Sequence, residues 1–246
     1  MAINPEQHSI KKSAILHLLP GLLLLLFFII MAPLLHKLGL PSMFTIYLAA
    51  LLILIPFELG YLFYLGKKEN NRFSLKGIVL CREKIPIWQY FVLVPVLTGW
   101  SIICFAFIAP PIDSYLIKTF FSWLPHWFFL DDFVNNISLY SKSVVILTWV
   151  LGLVLNGIGA PIVEELYFRG YLLPRIACLK RWGPLVNVLL FSLYHFFTPW
   201  QNPVRILALL PMVYVVWWKK NIYLAIFTHC LVNIGGVLTM IPLIFG

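Results

Sequence analysis

The sequence has 246 residues, 61% of them hydrophobic and only 11% charged. That balance, with a mean hydropathy of +0.93, excludes a soluble globular domain, which has no means of hiding so much apolar surface. The formal net charge of +9 does not argue for nucleic acid, because most of it falls in short loops between apolar runs, where the positive-inside rule accounts for it.

The apolar runs are about 20 residues long and do not alternate, so they predict membrane helices rather than barrel strands. Residues 1–12 form a short polar tail with Lys11 and Lys12. A first run, about 14–35, is too long for a signal-peptide core and lacks a small-residue cleavage site, so it reads as a retained span. A second covers about 43–65. The loop 67–84 carries Lys67, Lys68, Arg72, Lys76, Arg82 and Lys84. Such a loop belongs in the cytoplasm, and the N-terminus, two spans earlier, with it. A third span runs about 86–108 and ends at Pro110-Pro111.

Residues 112–142 are the one long outer segment. Its Tyr115, Phe120, Phe121, Trp123, Trp127, Phe128 and Phe129 predict an interfacial helix between the third and fourth spans. From 143 to 180 the chain reads as one long fourth helix of roughly 57 Å. Gly157, Gly159 and Pro161 are placed to bend it. Pro174 would remove the bond to the Gly170 carbonyl and kink its last turns. Shorter spans at about 184–199 and 204–218 and a last one at about 221–243 complete an all-α membrane bundle of seven helices, or eight if the long stretch is two. No repeat or second domain appears, so 1–246 is a single domain. The four cysteines form no CxxC pair and imply no disulfide framework.

The stretch Pro161–Pro174 carries Glu164, Glu165 and Arg169 inside this apolar region. A charge at membrane depth costs roughly 2.5 to 3.5 kcal/mol even on the lenient insertion scale. Glu165 and Arg169 are i and i+4 on a helix and pair. Glu164 has Phe168 as its i+4 neighbour and needs partners elsewhere. His8, His17, His36 and His126 lie near predicted membrane ends or in loops, whereas His195 and His229 lie inside spans, with Asn233 one turn from His229. Helical rise puts Glu164, His195, His229 and Asn233 in one layer near mid-membrane. A carboxylate beside an imidazole activates water, and a second imidazole with an amide donates to an oxyanion. The competing chemistry is a zinc site made of Glu164, His195 and His229, although HExxH is absent. No Gly-x-Ser-x-Gly or similar exposed serine is paired with either histidine, and paired membrane aspartates and nucleotide fingerprints are absent.

Three motifs, Glu164-Glu165-x-x-x-Arg169, Phe191-x-x-x-His195 and His229-x-x-x-Asn233, resemble those of the CAAX-protease and bacteriocin-processing (Abi) family. They cover 161–233. The resemblance implies an intramembrane glutamate endopeptidase of a prokaryotic cell membrane, acting on membrane-associated, lipidated or bacteriocin-like peptides. It implies that Glu164 and His195 activate water, that His229 and Asn233 hold the oxyanion, and that Glu165 and Arg169 shape the cavity. No metal cofactor is implied, and the oligomeric state is left open. Family members commonly carry an eighth span after the last motif, whereas this sequence ends at Gly246. Two other readings stand beside the protease: a scaffold or self-immunity protein that keeps the motifs as a polar core, and a proton-coupled transporter, disfavoured by the lack of repeat symmetry.

Overall fold

The computed structural model describes residues 5–245. The first four residues of the expected polar tail and the last glycine lie outside it. The described chain is helical, with one isolated β-bridge between Arg82 and Asn221. The long helices are α1 (Ile10–Lys37), α2 (Ser42–Asn70), α3 (Ile87–Phe121), α4 (Lys142–Leu172), α5 (Gly183–Leu193), α6 (Asn202–Lys219) and α7 (Tyr223–Leu238).

Five stretches are long and apolar enough to cross a bilayer: Ile10–Lys37, Ser42–Asn70, Ile87–Phe121, Lys142–Leu193 and Tyr223–Phe245. This is an integral membrane protein. The fourth stretch is broken at Ile176 and at Lys180, whose φ of 49° is left-handed. The break falls just after Pro174, where a kink is expected. Two expected spans are not separate members of the five: α5, with 11 residues, is the end of the fourth stretch, and α6, which carries Arg205 and Lys219, lies outside all five.

Prolines set the internal geometry of the helices. Besides Ile117–Phe121 at the end of α3, widened i→i+5 turns occupy four segments: Ala50–Leu54, Cys104–Ile108, Gly152–Gly159 and Glu165–Leu172. Each is followed two residues later by a proline: Pro56, Pro110, Pro161 and Pro174. A proline cannot donate to the preceding turn, and widening that turn lets the chain forgo the bond without leaving the helix. Consequently α3 does not stop at Pro110-Pro111 but runs on to Phe121. The freed Gly170 carbonyl accepts from the Leu80 N–H at 2.7 Å.

The expected interfacial helix over 112–142 is therefore not one helix. Its first third belongs to α3, and Pro125 in extended backbone interrupts the rest. Short turns follow at His126–Phe128, Asp132–Asn135 and Ile137–Leu139. Trp127, Phe128 and Phe129 fold inward, whereas Tyr115, Phe120 and Trp123 stay exposed. Phe128 lies 5.5 Å from the Phe28 ring and Phe129 5.2 Å from Trp200.

His17 is not at a membrane end but fully buried within α1. Its Nε2 lies 3.0 Å from Asn187 Nδ2 on α5, and the same amide donates to the Phe168 carbonyl at 3.0 Å. It is a helix–helix hydrogen bond of the kind expected for an intramembrane histidine. Near it Gly21 passes so close to α5 that a Cβ there would overlap the Tyr194 carbonyl oxygen.

The N-terminal tail docks on the chain after α4. The His8 N–H donates to the Arg175 carbonyl at 2.8 Å, and the Cys178 N–H donates to Gln7 Oε1 at 3.0 Å. Burial, with the charges of Lys12 and Arg175, lowers the His8 pKa from 6.5 to about 4. A released His8 takes up its proton at higher pH than a docked one, so acid opposes docking. The tail's contribution to stability is expected to be whole above pH 6.5 and to fall as pH drops toward 4. Thermal unfolding of His8→Gln across this range should show a weaker acid loss than wild type; equal slopes would refute this.

Candidate active site

Glu164 and Glu165 follow one another where α4 changes from ordinary to widened turns. They point to different partners. Glu164 Oε1 accepts from the Tyr194 hydroxyl, and its Oε2 lies 3.7 Å from His229 Nε2. Glu165 Oε1 lies 2.9 Å from His229 Nδ1 and 3.2 Å from Arg169 Nη1. The expected i,i+4 ion pair is thus present, and both its side chains are completely buried. Glu165 is more than a shaping residue: it holds the His229 ring directly. A carboxylate in this contact accepts, so Nδ1 carries the proton and turns Nε2 toward Glu164. The Arg169 guanidinium also stacks 4.0 Å from the centre of the Phe191 ring, a contact that stabilises a desolvated cation.

His195 lies just beyond α5, at a turn. Its Nδ1 is 2.9 Å from the Phe191 carbonyl. A carbonyl only accepts, so Nδ1 donates and Nε2 keeps its lone pair. Tyr194 packs edge-on against the ring at 4.3 Å. The turn is clasped by buried Arg205, whose guanidinium donates to Thr198 Oγ1 and Gln201 Oε1, each at 2.8 Å, and to Asn202 Oδ1 at 2.9 Å. Asn233 Nδ2 donates to the Asn156 carbonyl at 2.8 Å. Asn156 lies in a widened turn of α4. One amide hydrogen of Asn233 remains free.

Glu164, His195, His229 and Asn233 all line one cavity of about 980 Å³. Helices α4 and α7 and the turn after α5 thus aim these four groups at one space. The hydrogen-bond partner of Glu164 is Tyr194, however, and among the described residues no hydrogen bond joins Glu164 to His195.

Two further residues went unnoticed in the sequence. Tyr194 looks like core aromatic, and only its hydroxyl next to His195 hinted otherwise. Glu58 is a lone carboxylate within the second apolar run, and the expense of charge at membrane depth should have singled it out. It is fully buried, and neither oxygen has a hydrogen-bond partner among the described residues. Ile55 approaches Gly159, and Tyr61 meets Tyr167. Glu58, midway between Ile55 and Tyr61, is therefore level with residue 163. The charges facing it are Glu164, Glu165 and Arg169.

Among the described residues no three His, Cys, Asp or Glu side chains gather closely enough to hold a metal ion. In the alternative ligand set Glu164, His195 and His229, the two rings use Nδ1 for Glu165 and for the Phe191 carbonyl, which leaves each Nε2 outside those bonds.

Tyr194→Phe removes one charge-assisted hydrogen bond to Glu164, worth roughly 1.5 to 3 kcal/mol. Turnover is expected to fall about 10- to 100-fold with KM nearly unchanged, as measured on purified protein. Unaltered turnover would mean that the hydroxyl does not position Glu164.

A membrane-embedded helical bundle that encloses a carboxylate–tyrosine–histidine cavity is the class these features define. Residues 146–235 match the family model described as Rce1-like, type II CAAX prenyl endopeptidase Rce1-like. This is the CAAX-protease family that the three motifs resemble, and the match spans most of α4, all of α5 and α6, and most of α7. No curated protein and no solved structure matches the chain at a significant level.

Proposed function

We propose that this protein is an intramembrane endopeptidase of the CAAX-protease type in which Glu164 activates the attacking water. One observation carries the reading: two adjacent buried carboxylates divide their work. Glu165 is tied to Arg169 and His229, while Glu164 is held by Tyr194 at the cavity wall. A buried carboxylate held by a single hydroxyl retains lone pairs for a water proton.

In this mechanism the water lies between Glu164 and the Nε2 lone pair of His195. Glu164 takes its proton as the oxygen attacks the scissile carbonyl, then returns it to the leaving amine. The oxyanion accepts from the free amide hydrogen of Asn233 and from His229 Nε2. Donation from Nε2 requires the second ring proton, and Glu164 and Glu165 supply the counter-charge. No step passes through a metal. Seven crossings, with the N-terminus and the 67–84 loop in the cytoplasm of a prokaryotic cell, suit this arrangement. The substrates are peptides or proteins associated with the membrane, either prenylated at the C-terminus or of the bacteriocin or pheromone kind.

The test is quantitative profiling of new peptide termini in native membranes, comparing wild type with Glu164→Ala at equal abundance. Termini that vanish in the variant, and reappear when purified wild type is given the parent peptide, are the expected result. An identical set of termini would overturn the protease reading in favour of a scaffold. Activity should survive verified metal removal; loss on chelation with recovery on added Zn²⁺ would replace the glutamate mechanism by a metal one.

A further inference from the structure

The two ends of the bundle differ in charge and in closure. The N-terminal tail, the 67–84 loop, the 173–182 turn and the Lys219-Lys220 turn touch one another: the His8 N–H donates to the Arg175 carbonyl, the Arg175 guanidinium donates to the Ile78 carbonyl, and the Glu83 N–H donates to the Lys220 carbonyl. These segments hold thirteen of the eighteen Lys and Arg residues. The opposite end, around the α1–α2 turn, residues 110–142 and the end of α7, holds Lys37, Lys118 and Lys142 with Asp113, Asp131 and Asp132. By the positive-inside rule the first end is cytoplasmic.

The cavity reaches the second end. Its lining residues left uncovered by the rest of the protein include Ser114, Lys118, Asp131, Thr239 and Leu243, all remote from the basic loops. No residue of the 67–84 loop, the 173–182 turn or the 219–222 turn lines it. Toward the basic end, the wall behind Glu164 consists of Glu165, Tyr167, Phe168 and Arg169, each with no exposed surface.

We infer that the catalytic cavity opens to the extracytoplasmic face and is sealed toward the cytoplasm. Resting on the protease reading, this selects among its substrate classes. A prenylated C-terminus, which is made in the cytoplasm, would meet the closed end. The fitting substrate is an exported, membrane-associated peptide presented from the outer face, its apolar residues against the Tyr47, Phe197 and Leu209 wall.

The test uses single-cysteine variants of the full chain in intact protoplasts, with Cys81, Cys104, Cys178 and Cys230 replaced by serine. A membrane-impermeant sulfonated maleimide is expected to label Ser114→Cys and Thr239→Cys from outside, and Lys76→Cys only after lysis. Labelling of Lys76→Cys in intact cells, with Ser114→Cys protected until lysis, would overturn the inference. Accessibility does not require activity, so it is read separately from proteolysis. A second arm adds an impermeant fluorogenic peptide to right-side-out and inverted vesicles. Cleavage in right-side-out vesicles alone supports the inference, and cleavage in inverted vesicles alone overturns it. Outside labelling with no cleavage in either orientation would keep the access face and refute the protease.

Discussion

Glu164→Gln is expected to lower cleavage by about 10²- to 10⁴-fold, the usual contribution of a positioned general base, while leaving the folded protein in place. The amide oxygen of a glutamine still accepts from the Tyr194 hydroxyl, so the wall of the cavity keeps its hydrogen bond. What is lost is the ability to take a proton from water. The check is turnover of one defined peptide by wild type and variant at equal folded concentration. A variant retaining more than about a tenth of wild-type turnover falls outside that range, and would move the role of base to the Nε2 of His195, a second free acceptor beside the motif residues at the cavity.

Arg169→Met should be the most destabilising of the site substitutions, at about 3 to 5 kcal/mol. Arg169 is completely buried and pairs with Glu165, and it also faces Glu58, which shares its neighbourhood with Glu164 and Glu165. Removing the guanidinium leaves three carboxylates together, with Arg205, which acts on Glu164, and a protonated His229 as the side-chain cations nearby. Glu165→Gln removes one negative charge from the same cluster and should cost less. The combined variant should recover part of the loss, because it leaves fewer uncompensated carboxylates. Thermal unfolding in mild detergent, with the folded fraction from size-exclusion profiles, measures all three. An Arg169→Met protein that unfolds at the wild-type temperature would show that the cluster is already neutral.

Both effects come from one local device. The widened turn that begins at Glu165 separates two adjacent carboxylates into different environments. It also precedes Pro174, and the carbonyl that this proline leaves free is taken by the Leu80 N–H. The 75–81 segment is thereby held against α4, behind the cavity. Chain geometry imposed by proline and side-chain chemistry at Glu164 are coupled through the same few residues.

Much of the site was legible in the sequence because membrane burial makes polar residues conspicuous. Glu164, Glu165, Arg169, His195, His229 and Asn233 stand out against apolar neighbours, since each would carry a large cost if it faced lipid. Helical spacing was enough to pair Glu165 with Arg169. The same reasoning applied to Glu58 would have exposed it as well. Tyr194 was not legible, since a tyrosine in an apolar run is ordinary and its partner lies thirty positions away. Nor was the burial of His17, which depends on Asn187 from another helix.

By itself, then, the sequence determined the class: an all-helical membrane protein, its motif residues at one depth, and its basic end. These follow from composition and from periodicity within single segments, which need no knowledge of how segments pack. Tertiary structure alone decided that α3 continues past its prolines, that Trp127, Phe128 and Phe129 fold into the bundle, and that Tyr194 rather than His195 holds Glu164. It also decided that the cavity ends blind behind Glu165 and Arg169. Each of these depends on which helices touch, and contacts between helices follow in part from the shapes that the widened, proline-linked turns give to α2, α3 and α4.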